Sequence, residues 1–77
     1  MEMFAEALKE YQTAIQLEPG VAEYYYRAGL MHKHLKEYPE ALGCFRRVLK
    51  LEPGNADAYK QFAAVSALGF IPKQGGA

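Results

Sequence analysis

Apolar residues return every three or four positions along this chain in four successive blocks, separated by short breaks that carry proline, glycine or charge. Phe4, Ala7, Leu8, Tyr11, Ala14 and Ile15 mark the first block, and Tyr25, Ala28, Gly29, His32 and Leu35 or Lys36 the second. Ala41, Leu42, Phe45, Val48 and Leu49 mark the third, and Tyr59, Phe62, Ala63 and Ser66 the fourth. This spacing lays one apolar stripe along a 3.6-residue helix and has none of the alternation of a strand. It predicts four amphipathic helices: Phe4 to Leu17, Ala22 to about Leu35, the first turn around Pro39 to about Leu51, and about Ala56 to Leu68.

The punctuation agrees with the periodicity. Leu17-Glu18-Pro19-Gly20 and Leu51-Glu52-Pro53-Gly54 are one stop signal written twice. Proline has no N–H and pushes the residue before it out of the helical region, and the glycine is expected to relieve the turn. Pro39 is tolerated in a first helical turn, and Asn55 is a candidate N-cap for the fourth helix. The stretch from Gly69 to Ala77 holds three glycines and a proline and reads as irregular.

The two stop signals lie 34 residues apart, and the chain matches itself at that offset. Glu6-Ala7-Leu8 falls on Glu40-Ala41-Leu42, Ala22 on Ala56 and Tyr25 on Tyr59, with mild exchanges such as Tyr11 against Phe45 and Ala14 against Val48. A helix–turn–helix unit of this period, with Tyr25, Gly29, Ala41, Phe45 and Pro53 in their places, resembles the tetratricopeptide repeat family. The resemblance covers roughly residues 3 to 69. It departs from the family's pattern at Ala28, where a large aliphatic is usual, at His32, where tyrosine is usual, and at Phe62 and Ser66 in the last copy. It implies an all-α fold of antiparallel helix pairs in a right-handed superhelical array. Small residues (Gly29, Ala63, Ala7, Ala41) then stand where helix axes approach, and large rings (Phe45, Tyr11, Tyr25, Tyr59) where the space between pairs is filled.

On this register the chain divides into a half repeat (3–21), a full repeat (22–55), a half repeat (56–69) and an irregular tail (70–77). Each flanking helix then carries an apolar face without its partner, and such units bury their core only by stacking. Three coverings stay open: the first and fourth helices of two chains pair with one another as a dimer or short filament, the chain is a piece of a longer array, or Phe70, Ile71 and Pro72 fold back as a cap.

Composition narrows the chemistry. Seventy-seven residues support one small domain, and a single cysteine, Cys44, allows no intramolecular disulfide and fits a reducing, cytoplasmic setting. Nine basic and nine acidic side chains cancel, which gives no field to gather nucleic acid or an anionic membrane, and no apolar run reaches membrane-spanning length. His32 and His34, two residues apart on a helix, point in nearly opposite directions and cannot hold one metal together. Cys44 has no evident base beside it, and Arg46, Arg47 and Lys50 read as a solvated basic face. The expectation is a non-enzymatic protein without cofactor or metal.

A surface remains. In the resembled family the first helices of successive repeats line a concave face that holds an extended peptide or a partner helix. By register that face comprises Glu23, Tyr26, Arg27, Leu30, Lys33 and His34, continued by Asp57, Lys60, Gln61, Ala64 and Leu68. Tyr25 recurs as Tyr59 and reads as scaffold, whereas Tyr24 and Tyr26 do not recur and are open to a binding role. The charge mixture suits a ligand of modest net charge. Asn55 is the only asparagine and lies in a turn, so the family's carboxylate clamp of paired asparagines and lysines is not supported. The function expected is a protein-interaction scaffold or adaptor, with self-assembly as the alternative.

Overall fold

Four helices, α1 (Phe4–Leu17), α2 (Ala22–His34), α3 (Tyr38–Leu51) and α4 (Ala56–Gly69), account for most of residues 3–69, which the computed structural model describes. There is no strand among the described residues. The expected irregular tail at 70–77, and with it the cap of Phe70, Ile71 and Pro72, lies outside them.

The two LEPG segments fold alike. Glu18 (φ −138°, ψ 80°) and Glu52 (φ −135°, ψ 82°) leave the helical region directly before their prolines. The Glu18 N–H closes the last turn of α1 on the Ala14 carbonyl at 2.8 Å, and the Glu52 N–H closes α3 on Val48 at 2.7 Å. Gly20 and Gly54 have negative φ, and a Cβ on either would meet open space. The expectation that glycine relieves this turn is therefore corrected: proline and its restricted predecessor suffice. Asn55 does cap α4, its Oδ1 accepting the Ala58 N–H at 2.9 Å.

Left-handed backbone occurs instead at Lys36 (φ 62°), just past the end of α2. The Glu37 N–H donates to the His32 carbonyl at 2.8 Å and the Lys36 N–H to Lys33 at 3.0 Å, the two bonds of a Schellman motif. Where that motif usually has an apolar contact, His32 Nδ1 meets Glu37 Oε1 at 2.8 Å. Lysine has a Cβ to accommodate in this conformation and glycine has none. Lys36→Gly is therefore expected to raise stability by about 0.5–1 kcal/mol, the relieved strain less the extra freedom glycine gives the unfolded chain. A midpoint of urea unfolding unchanged or lowered would contradict it.

Each helix packs against its neighbour in sequence, and short connections make adjacent helices antiparallel. The core has two centres. Ala22, Val48 and Ala58 form one, with Tyr25, Tyr26 and Leu49 against them. Ala41, Phe45 and Val65 form the other, flanked by Tyr26, Leu30, Tyr38, Leu42 and Phe62. Helix α3 supplies residues to both and sits between α2 and α4. The α2–α3 crossing depends on Gly29: a Cβ there would lie 2.7 Å from Phe45 Cε1, 2.8 Å from Cζ and 3.1 Å from Cys44 Cβ.

The outer helices bury less than the periodicity predicts. On α4 the expected stripe is Tyr59, Phe62, Ala63 and Ser66, but Tyr59 is 61% exposed, Ala63 is exposed, and Phe62 and Ser66 are half-buried. The fully buried residues are Ala58 and Val65, which face α3. The repeat pattern marks the face a helix of this type turns to the second helix of its pair, and among the described residues nothing covers that face of α4. On α1, Ala7, Tyr11 and Ala14 are half-buried, whereas their counterparts Ala41, Phe45 and Val48 in α3 are fully buried.

Candidate functional site

Helices α2 and α4, which both pack against α3, also meet one another along a shared face. Lys33 Nζ donates to Gln61 Oε1 at 3.0 Å across that face, tying the two helices directly. Nearer the N-termini of both helices a shallow pocket of about 170 Å³ opens, lined by Ala22, Glu23, Tyr26, Glu52, Asn55 and Asp57. The structure thus brings Glu23, Tyr26 and Asp57 to one pocket and joins Lys33 to Gln61, five of the residues the register selects.

The others are placed differently. Arg27 is exposed and donates through Nε to Glu23 Oε2 at 2.7 Å, an i, i+4 pair whose hydrogen bond raises the arginine pKa further. Leu30 is half-buried against the Ala41, Phe45 and Val65 cluster. Lys60 and Ala64 are exposed on α4 and do not line the pocket. Leu68 is exposed too, and His34 stacks on Phe4 of α1 with ring centroids 4.4 Å apart. Tyr26 is half-buried and sets its ring edge-on to Phe45 at 5.7 Å, so it belongs to the scaffold as well as to the pocket. Non-recurrence alone does not make a residue free of the scaffold.

Glu52 and Asn55 also line the pocket, and helical register does not reach them because they belong to the loop before α4 and not to a helix face. Asn55 Nδ2 donates to Glu52 Oε1 at 2.9 Å while Asn55 Oδ1 caps α4, so one side chain fixes both the helix start and a pocket carboxylate. The result is a pocket with three carboxylates (Glu23, Glu52, Asp57) and one aromatic ring. It falls short of the roughly 300–1,000 Å³ of small-molecule sites and suits a single side chain.

Several other polar groups are engaged locally. The Tyr25 hydroxyl donates to the Pro19 carbonyl at 2.9 Å, and the Tyr24 hydroxyl to Glu18 Oε1 at 3.1 Å, a bond that raises the tyrosine pKa. The Arg46 and Arg47 guanidinium groups lie over the rings of Phe62 and Tyr25, at 5.6 and 5.5 Å from the ring centroids. Burial, with Glu40 nearby, pushes the Cys44 thiol up to about 11, so it stays protonated and weakly nucleophilic near neutral pH. No group of three or more side chains suited to a metal ion occurs among the described residues.

The α2–α3 pair, with its glycine at the crossing, its buried ring opposite and its proline stop, spans the segment in which the chain's periodicity is complete. Residues 22–55 match the family model of the tetratricopeptide repeat. The resemblance to this family is thereby supported over those residues. No curated protein matches the chain. Tetratricopeptide repeats are interaction modules, and the match over residues 22–55 supports a protein-interaction scaffold in general terms. No helix among the described residues is long and apolar enough to cross a membrane.

Proposed function

We propose that the face shared by α2 and α4 binds an extended peptide or a partner helix, and that the pocket at its N-terminal end takes a basic side chain of that partner. The pocket carries the proposal: Glu23, Glu52 and Asp57 surround a space of about 170 Å³ with Tyr26 forming its apolar wall. A lysine or arginine entering it would find acceptors and an aromatic surface together. Leu30, Arg27, Lys33, Lys60, Gln61 and Ala64 continue the face and supply the apolar and mixed-charge contacts of the rest of the ligand. In this reading the chain is a non-enzymatic adaptor without cofactor or metal, and a cytoplasmic setting belongs with it, supported by the lone thiol. Neither nucleic acid nor membrane is among its partners, in keeping with the balanced charge. The flanking helices α1 and α4 belong to half repeats on either side of the full one.

Peptides selected from a displayed random library on the immobilised chain test it. Recovered sequences are expected to share a lysine or arginine beside an apolar residue, and Asp57→Lys is expected to weaken a synthetic copy of one by at least about tenfold in fluorescence anisotropy. Asp57 is exposed in the first turn of α4, so its replacement spares the core, whereas alanine at Tyr26 or Leu30 would loosen it. Selected peptides without a common basic residue, or binding indifferent to Asp57→Lys, would refute the assignment.

A further inference from the structure

The uncovered faces of α1 and α4 correspond, residue for residue, to two faces that are already packed together inside the chain. On α4, Ala56, Tyr59 and Ala63 are exposed, and at the 34-residue offset they stand for Ala22, Tyr25 and Gly29, the side of α2 turned toward α3. On α1, Ala7, Tyr11 and Ala14 are half-buried and stand for Ala41, Phe45 and Val48, which are fully buried in α3. Helix α4 therefore carries the α2 half of the internal interface and helix α1 the α3 half.

We propose that α4 of one copy of this chain packs against α1 of a second copy, head to tail, and repeats between chains the α2–α3 contact within the chain. The internal pair decides the occupant: α1 carries the apolar pattern that α3 uses to cover such a face, and among the described residues it is the helix with that pattern left uncovered. Two exchanges distinguish the junction from its template. Ala63 replaces Gly29, and a Cβ at Gly29 would crowd the Phe45 ring to 2.7 Å. The ring opposite Ala63 is Tyr11, which is half-exposed and can turn aside, whereas Phe45 is enclosed. Glu10 replaces Cys44, a half-buried position at the edge of the contact, so its carboxylate keeps access to water. A contact of two different faces need not close on itself and leads to an open series of chains. The proposal does not depend on the peptide-binding reading, since Ala63 and Tyr11 line no part of the pocket around Tyr26.

Light scattering on an eluting column, over a dilution series, tests it with two variants. Ala63→Arg places a charge on the α4 face, and Ala7→Arg places one on the α1 face. The unmodified chain is expected to exceed single-chain mass as concentration rises and to pass two chains at the highest. Either variant alone is expected to stay at single-chain mass, with its apparent dissociation constant raised at least about a hundredfold. Each variant retains one intact face, so an equimolar mixture is expected to yield a species of two chains and nothing larger, which also shows that both variants are folded. Single-chain mass for the unmodified protein up to about 1 mM, as when another segment or a neighbouring repeat is the true covering, would overturn the proposal. So would association that survives both variants, or a mixture that stays at single-chain mass.

Discussion

Phe45→Ala is expected to abolish cooperative thermal unfolding, leaving a sloping loss of helix signal. Phe45 is fully buried, stands at the centre of one core cluster, and meets Tyr26 edge-on and the backbone at Gly29 by direct contact. Removing such a ring costs about 3–5 kcal/mol, the transfer free energy of the side chain and the cavity it leaves. A domain of this size with no intramolecular disulfide holds roughly 3–5 kcal/mol in total, so the loss is comparable to the whole. Neither neighbour can refill the space: Gly29 has no side chain, and Tyr26 is held by both clusters. Circular dichroism at 222 nm during heating measures the outcome. A sharp transition within a few degrees of the parent would mean that the core is not organised around this ring. Tyr11→Ala, at the same register position in α1, provides the comparison. That ring is half-exposed, and its removal is expected to leave a cooperative transition.

The difference between Phe45 and Tyr11 marks how far the fold was legible in the sequence. Helix number, type and ends follow from apolar spacing and the two LEPG segments, because proline geometry and helical periodicity are local and need no knowledge of neighbours. The buried set of α3 follows as well, since the repeat pattern assumes a helix on each side and α3 has both. For α4 the same pattern misassigns Tyr59 and Ala63 to the interior, because a sequence period records which face is apolar and not which neighbour is present. The left-handed Lys36 carried no signal: neither glycine nor asparagine marks it, and the His32–Glu37 contact that accompanies the turn is a side-chain pair across the end of a helix.

The candidate site was legible to a similar depth. Register placed Glu23, Tyr26 and Asp57 on a common side, since residues at equivalent positions of stacked helix pairs line up. It omitted Glu52 and Asn55 because loop residues have no helical phase. It also treated Tyr26 as free, although a ring large enough to span from α2 to Phe45 on α3 is drawn into the core whether or not its identity recurs.

Ala41→Leu separates a residue that is small by necessity from one that is small by composition. Ala41 is fully buried beside Phe45 and Val65, with Leu30, Tyr38, Leu42 and Phe62 around that cluster. Three added carbon atoms have no space to enter without displacing a ring or separating two helices, and overpacking of this kind costs about 1–3 kcal/mol. Helix propensity cannot offset it, because leucine and alanine differ there by only a few tenths of a kcal/mol. Ala7 is its counterpart in α1, at the same register but half-buried. Ala7→Leu can direct the added atoms toward solvent and is expected to change stability by less than about 0.5 kcal/mol, measured by urea unfolding at a dilution where the chain has single-chain mass. A large loss at Ala41 with near neutrality at Ala7 would establish that close approach of helices on both sides of α3 demands the small residue. Equal effects at the two sites would place a further helix over α1 in the isolated chain, and the exposure of its Ala7, Tyr11 and Ala14 face would have to be abandoned together with the head-to-tail pairing built on it.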